Sequence, residues 1–265
     1  MWNSSLQQCR QHRRGAINGW LAIPSGFAAE IMARQGWDSL TIDMQHGLVD
    51  YQAATAMLTA ISTTATAPLV RVPWLEEGII MKMLDAGAHG VICPMINTRQ
   101  DAERLVAAAR YPPLGARSFG PIRALLCSGE DYHQRANDSV LVLAMIETRE
   151  AVKNADEILS VPGLDGVYIG PADLSCSFGC VPSFTPDAPP VTQAIEHILA
   201  VAQKKGVFAG IHTGTPEYAK KMMAQGFNLV TVLSDARLLA AGAKTVLIQT
   251  RNLAASDNNH KKGTY

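Results

Sequence analysis

Two carboxylates in this chain are spaced to share one site. Glu147 ends the run Met145-Ile146-Glu147, and Asp173 follows Tyr168-Ile169-Gly170-Pro171-Ala172. Each segment begins as a buried strand and ends in an acid, and one strand, helix and return separates them. Hard oxygen ligands with few competing nitrogens or thiols suit Mg²⁺ or Mn²⁺. Other polar residues close further strand-like runs. His46 lies beyond Thr41-Ile42-Asp43, Arg71 sits within Val70-Arg71-Val72, and Asp85 falls in Leu84-Asp85-Ala86-Gly87. Each has a plainer role open to it. Asp43 and His46 could end a strand and cap a helix, Asp85 could simply end a helix, and Glu147 could pair with Arg149. A buried arginine, however, requires a counter-charge. Gly170-Pro171-Ala172-Asp173 adds a small-residue turn into a helix, where Ala172 and Asp173 N–H groups can meet a carboxylate and Pro171 has no N–H to offer.

These residues need elements to hold them. Strands are expected near Trp20–Ile23, Leu40–Asp43, Leu69–Val72, Gly90–Cys93, Val140–Glu147, Gly166–Ile169, Phe208–His212 and Leu229–Leu233. Amphipathic helices are expected over Gln52–Ile61, Glu76–Ala86, Thr98–Ala109, Ala151–Leu159, Thr192–Lys204, Tyr218–Gln225 and Arg237–Arg251. Eight such alternations predict a parallel sheet closed as a (β/α)₈ TIM barrel, with polar strand ends gathered at one mouth. Gly36, Gly87, Gly206 and Gly226 stop helices just before strands. The alternative, an open doubly wound sheet, would want a Gly-rich phosphate turn after the first strand, and Pro24-Ser25-Gly26-Phe27 is not one. Tyr111–Asp138 and Ser175–Pro190 read as long site-forming loops. Residues 1–255 form one domain on this reading, and the polar stretch Ser256–Tyr265 reads as a disordered tail.

The bulk numbers exclude several classes. The 265 residues carry 23 basic and 23 acidic side chains, so nothing favours nucleic acid or an anionic membrane as partner. No apolar run approaches a bilayer span, and Met1 to Arg14 lacks the apolar core of a secretory signal. The five scattered cysteines suit reduced thiols and a cytoplasmic location, and Cys176 and Cys180 have no partner pair to complete a zinc site. Only 17% of residues are charged, which points to surface buried in an oligomer. No strand end carries a lysine for a Schiff base. Serine-hydrolase elbows and Walker loops are absent.

In order along the chain, Asp43-Met44-Gln45-His46, Val70-Arg71-Val72-Pro73, Leu84-Asp85-Ala86-Gly87, Arg110-Tyr111-Pro112-Pro113, Ile146-Glu147-Thr148 and Gly170-Pro171-Ala172-Asp173-Leu174 resemble the HpcH/HpaI family of metal-dependent class II pyruvate aldolases. The resemblance runs from about Gly19 to Arg251. It implies a barrel of the phosphoenolpyruvate/pyruvate type and a homo-hexamer, a trimer of dimers, with the C-terminal helix Arg237–Arg251 exchanged between subunits. It implies a divalent metal (Mg²⁺, Mn²⁺ or Co²⁺) on Glu147 and Asp173, and His46 with Asp85 as a base dyad acting through water. Arg71 would contact the pyruvate keto oxygen, the Gly170, Pro171, Ala172 and Asp173 backbone would hold its carboxylate, and Trp20 would line the site. Familiar members carry Gln two residues before the metal-binding Glu, where this chain has Met145. The segment Arg117–Arg123 also differs from dicarboxylate-cleaving members, so Phe119 and Arg123 are expected to shape the aldehyde pocket. The implied reaction cleaves or forms 4-hydroxy-2-oxo acids, from or to pyruvate and an aldehyde, through a pyruvate enolate. Oxaloacetate decarboxylation, a CoA-thioester lyase of the citrate-lyase-β type and a non-catalytic 2-oxo-acid-binding protein are the alternatives.

Overall fold

The computed structural model describes residues 15–260, with side chains to Arg251. Eight strands form a closed parallel barrel in sequence order. They are β1 (Ala16–Leu21), β2 (Ser39–Asp43), β3 (Ala67–Arg71), β4 (Gly90–Cys93), β5 (Leu141–Ile146), β6 (Gly166–Ile169), β7 (Phe208–Thr213) and β8 (Leu229–Val232). Helices cross between them and cover the outside: α1 (Gly26–Ala33), α2 (Tyr51–Ile61), α3 (Glu77–Asp85), α4 (Arg99–Ala109), α5 (Ile122–Ser128), α6 (Tyr132–Ser139), α7 (Arg149–Lys153), α8 (Ala155–Ile158), α9 (Pro171–Ser177), α10 (Pro189–Lys205), α11 (Pro216–Gln225) and α12 (Asp235–His260). The (β/α)₈ reading of the sequence holds.

Strands β2 to β6 are buried at every residue, as expected of a parallel sheet with side chains packed on both faces. One face meets the helices through residues such as Ile42, Val70, Val91, Val142 and Ile169. The other fills the barrel with Trp20, Leu69, Ile92, Leu143, Met145 and Tyr168. Helix starts are set by side-chain caps at Ser25, Asp50, Thr98, Thr148 and Thr215, each satisfying an orphan N–H of the first turn. Gly206 and Gly226 end α10 and α11 at φ 68° and 104°, a conformation most residues resist.

The structure departs from the sequence reading in five places. Helix α1 was not foreseen. The first strand ends at Leu21 rather than Ile23, because the Ala22 and Ile23 N–H groups bind the Asp235 carboxylate instead of a neighbouring strand. The expected loop Tyr111–Asp138 contains α5 and most of α6, which bury Ala124, Tyr132 and Ala136. The single helix expected over Ala151–Leu159 breaks at Asn154, whose side chain donates to the Asn97 carbonyl at 2.8 Å. Helix α12 continues through Ser256, where disorder was expected, to His260. No helix among the described residues is long and apolar enough to cross a membrane.

Candidate active site

A cavity of about 350 Å³ opens where the strands end. Trp20 is the penultimate residue of β1, Asp43 and Arg71 are the final residues of β2 and β3, and Met145 lies one residue short of the end of β5. Gly170, Ala172 and Asp173 follow β6, His212 is near the end of β7, and Arg237 stands in the first turn of α12. This is the mouth at which barrel enzymes place their chemistry.

Asp43 is its organising residue. One carboxylate oxygen accepts from Arg71 Nε at 2.9 Å, and the other from Arg71 Nη2 at 2.7 Å and Trp20 Nε1 at 3.1 Å. The first oxygen also accepts the backbone N–H groups of Gln45 and His46, at 3.1 and 3.2 Å. One side chain therefore locks the guanidinium by two parallel bonds, pins the indole, and folds the turn that aims His46 into the cavity. Burial pulls the Asp43 carboxyl upward, but Arg71, Trp20 and the His46 N–H outweigh it and hold it below its ordinary value. The Arg71 guanidinium also lies 4.8 Å from the Trp20 ring centroid. Arg71 Nη1 is left as the hydrogen-bond donor available to a ligand.

Across the mouth, Glu147 is 1% exposed. Its Oε1 accepts the Met95 N–H at 2.9 Å. Burial lifts it to about 7, with the Asp173 charge adding to the rise and the Met95 N–H and Arg71 opposing it. A buried carboxylate beside a second carboxylate calls for a cation. Gly170 leaves the room: a Cβ there would lie 2.5 Å from both Glu147 Oε2 and Met145 Cε. Among the described residues no group of three or more His, Cys, Asp or Glu comes together. Glu147 and Asp173 are the two carboxylates here that could hold a metal ion, leaving its other positions to water or substrate. That suits a hard divalent ion that keeps water or substrate oxygens.

His46, Arg71, Trp20 and the Gly170–Asp173 turn come together as the sequence reading expects, facing Glu147. Asp85, Phe119 and Arg123 do not join them within this chain. Asp85 ends α3 on the outer wall, where Arg117 Nη2 donates to it at 2.6 Å. Arg123 donates to the Ala86 carbonyl at 2.7 Å and to Ser62 Oγ at 3.0 Å. Phe119 is 65% exposed and packs near Tyr111 and His133. The physical reason is the direction of α3: a crossover helix runs back toward the strand starts, so its last residue lies away from the mouth. Asp85, Gly120, Ile122 and Arg123 instead line a separate outer cavity with Tyr51 and Lys82. The sequence reading did not include Asp43, Phe184, His212 or Arg237 in the site. Asp43 ends β2 and His212 lies one residue short of the end of β7, the same signal that marked Arg71.

The HpcH/HpaI aldolase/citrate lyase family matches residues 19–241. The chain belongs to that family. It is 42% identical to a hydroxypyruvate/pyruvate aldolase of Rhizorhabdus wittichii, over 94% of this chain and all of that protein. It is 35% identical to a 4-hydroxy-2-oxo-heptane-1,7-dioate aldolase of Klebsiella pneumoniae, over 99% of this chain and all of the relative. A solved HpcH/HpaI aldolase/citrate lyase family protein from Burkholderia cenocepacia superposes with a TM-score of 0.87 at 33% identity, covering 94% of this chain and 99% of that one. The chain is accordingly an aldolase, a carbon–carbon lyase.

Proposed function

We propose that this HpcH/HpaI aldolase cleaves and forms 4-hydroxy-2-oxo acids, with pyruvate as one product and an aldehyde as the other, and that Glu147 and Asp173 hold a divalent metal. The observation that carries the reading is the Asp43-locked Arg71 guanidinium sharing one small cavity with Asp173, with the Glu147 carboxylate buried beside Gly170 on its wall. In cleavage the 4-hydroxyl loses its proton, the C3–C4 bond breaks, and its electron pair moves onto the C2 carbonyl oxygen. The products are an aldehyde and the enolate of pyruvate. Arg71 Nη1–H would donate to that oxygen, where charge develops, and its fixed orientation means little reorganisation is needed during reaction. His46, aimed by the Asp43 turn, would take the hydroxyl proton. The Ala172 and Asp173 N–H groups at the start of α9 would hold the substrate carboxylate. The metal, when bound, supplies Lewis-acid stabilisation of the developing charge.

Within one chain Asp85 is not the partner of His46. A His46–Asp85 dyad would have to form between subunits, with the outer wall of one barrel against the mouth of another. Exposed Ile122 and Leu126 beside Arg123, at 81% and 84%, support such packing. So do Leu239, Val246 and Leu247, which stand exposed on α12. We take the assembly to be a homo-hexamer of trimer-of-dimers type with α12 exchanged. We place it in the reducing cytoplasm, in keeping with the free thiols of Cys93, Cys127, Cys176 and Cys180.

Deuterium exchange at the pyruvate methyl group in D₂O, followed by NMR, tests the reading without knowledge of the aldehyde. Exchange is expected to require added Mg²⁺, Mn²⁺ or Co²⁺ after stripping with EDTA. Exchange at full rate in EDTA would remove the metal, and no exchange with any of the three would remove the enolate.

A further inference from the structure

Behind the mouth lies a chain of polar side chains that the reaction does not use. Asn18 Nδ2 donates to Thr231 Oγ1 at 2.8 Å, and Thr231 Oγ1 lies 2.6 Å from the Tyr168 hydroxyl. That hydroxyl is 3.3 Å from His212 Nδ1. Either hydroxyl can be the donor of the Thr231–Tyr168 bond. With the Tyr168 proton turned toward His212, Nδ1 of His212 is an acceptor and the ring proton sits on Nε2, the tautomer that the subsite below uses. Nε2 has no protein partner among the described residues and is not sealed from the cavity that His212 lines. Burial, with Arg71 and Arg237 adding to it, holds His212 down at about 3, so the ring is neutral at neutral pH.

Arg237 completes this side of the mouth. Asp235, two residues before it, accepts the Ala22 and Ile23 N–H groups at 2.9 and 3.1 Å, which fixes the first turn of α12 on its own barrel. The Arg237 guanidinium lies 4.7 Å from the Phe184 ring centroid, and the His212 ring lies 5.0 Å from the same centroid. Arg71 is matched by Asp43, whereas among the described residues the Arg237 guanidinium has no carboxylate partner. The His212 Nε2–H and the Arg237 guanidinium, with one positive charge between them, therefore face the cavity beside the Phe184 ring without a protein acceptor among the described residues. Strands in a sheet stand about 4.8 Å apart, so the β7–β8 side is removed by one to two strands from Asp173 after β6. That is a distance for the far end of a short substrate, not for its reacting carbons.

We propose that His212, Phe184 and Arg237 form the subsite for the distal end of the aldehyde, and that this subsite selects an oxyanion, either carboxylate or phosphate. The inference rests on the aldolase reading above and adds the residues that choose the acceptor. His212 would donate Nε2–H to one oxygen, and Arg237 would supply the charge.

The test is kcat/KM for aldol addition of pyruvate to matched pairs: 4-oxobutanoate against its methyl ester, and glyceraldehyde 3-phosphate against glyceraldehyde. A hydrogen bond to a charged group contributes about 1.5–3 kcal/mol, so the charged member of at least one pair should be favoured roughly 10- to 100-fold in the wild type. Whichever pair shows the larger ratio names the anion. In Arg237→Met the ratio should collapse to about one, through the aldehyde KM, and Arg237→Lys should restore part of it. His212→Phe, which keeps the ring packing and removes the donor, should lower the ratio by a smaller factor. A wild-type ratio near one for both pairs, or a ratio unchanged in Arg237→Met, would overturn the subsite while leaving the enolate reading intact. Loss of both rates in Arg237→Met would assign the residue a structural role and also overturn it. Absence of pyruvate exchange in the wild type would overturn both readings together.

Discussion

Replacing Glu147 by Gln is expected to stabilise the metal-free protein at alkaline pH while abolishing its metal dependence. Glu147 is raised from its ordinary 4.5 to about 7 in the folded chain, by burial first and by Asp173 in addition. A carboxyl raised on folding binds protons more tightly when folded than unfolded. Its ionisation therefore removes stability as pH climbs from 4.5 through about 7, and the full penalty is present above that window. At 1.36 kcal/mol per tenfold, the interval amounts to about 3 kcal/mol. Gln keeps the shape and the carbonyl that accepts the Met95 N–H, and it offers Asp173 a donor in place of a repelling charge. For a domain of this size about 3 kcal/mol corresponds to roughly 6–12 °C in Tm. The assay is thermal unfolding in EDTA at pH 5 and pH 8.5, followed by the same scans with Mg²⁺. The variant should gain over wild type at pH 8.5 and little at pH 5, and added Mg²⁺ should raise the wild-type Tm alone. A variant that melts below wild type at pH 8.5, or whose advantage is the same at both pH values, would refute this account of the site as a destabilised carboxylate pair waiting for a cation.

Asp43→Asn should cost about 3–5 kcal/mol, because it strands the buried Arg71 charge; urea unfolding reads this, and a loss under 1 kcal/mol would mean that Arg71 finds another partner. Gly170→Ala should weaken Mg²⁺ binding, measured by calorimetry, since the added methyl must displace Glu147 Oε2 or Met145 Cε; unchanged affinity would show that the turn yields freely. His46→Ala should lower cleavage turnover roughly 10²–10⁴-fold, and turnover at the wild-type level would remove His46 as the base.

The barrel was legible because its strands are short runs of apolar and β-branched residues between helices with clear stops, as at Gly90–Cys93 and Gly166–Ile169, where the expected and observed bounds coincide. Helix α1 escaped notice because Gly26, Ala28, Ala29 and Ala33 give it a weak apolar stripe; the Ser25 cap was the available signal. Within the site, Arg71 announced itself as a charge in a buried strand, and the same reasoning should have led to Asp43 as its counter-charge. The place of Asp85 on the outer wall was not legible, because sequence spacing does not reveal which end of a barrel a residue occupies. A residue just after a strand reaches the mouth, whereas one just before a strand lies at the other end. His212 and Arg237 were hidden for a different cause. Their significance depends on what surrounds them, namely the Tyr168 hydroxyl behind one and, among the described residues, the want of a carboxylate beside the other.

The bond from Asp235 to Ala22 and Ile23 spans more than two hundred residues of chain. On the ribosome, the loop after β1 is made long before its anchor, which follows more than two hundred residues later. Until β8 docks beside β1 and delivers that carboxylate, the nascent barrel has an open seam with strand edges free to pair elsewhere. Synthesis of β8 and the start of α12 therefore does more than add a helix. It closes the ring and sets Arg237 in position in the same event, so that a chain arrested short of β8 has both an unsealed edge and an unfinished acceptor end.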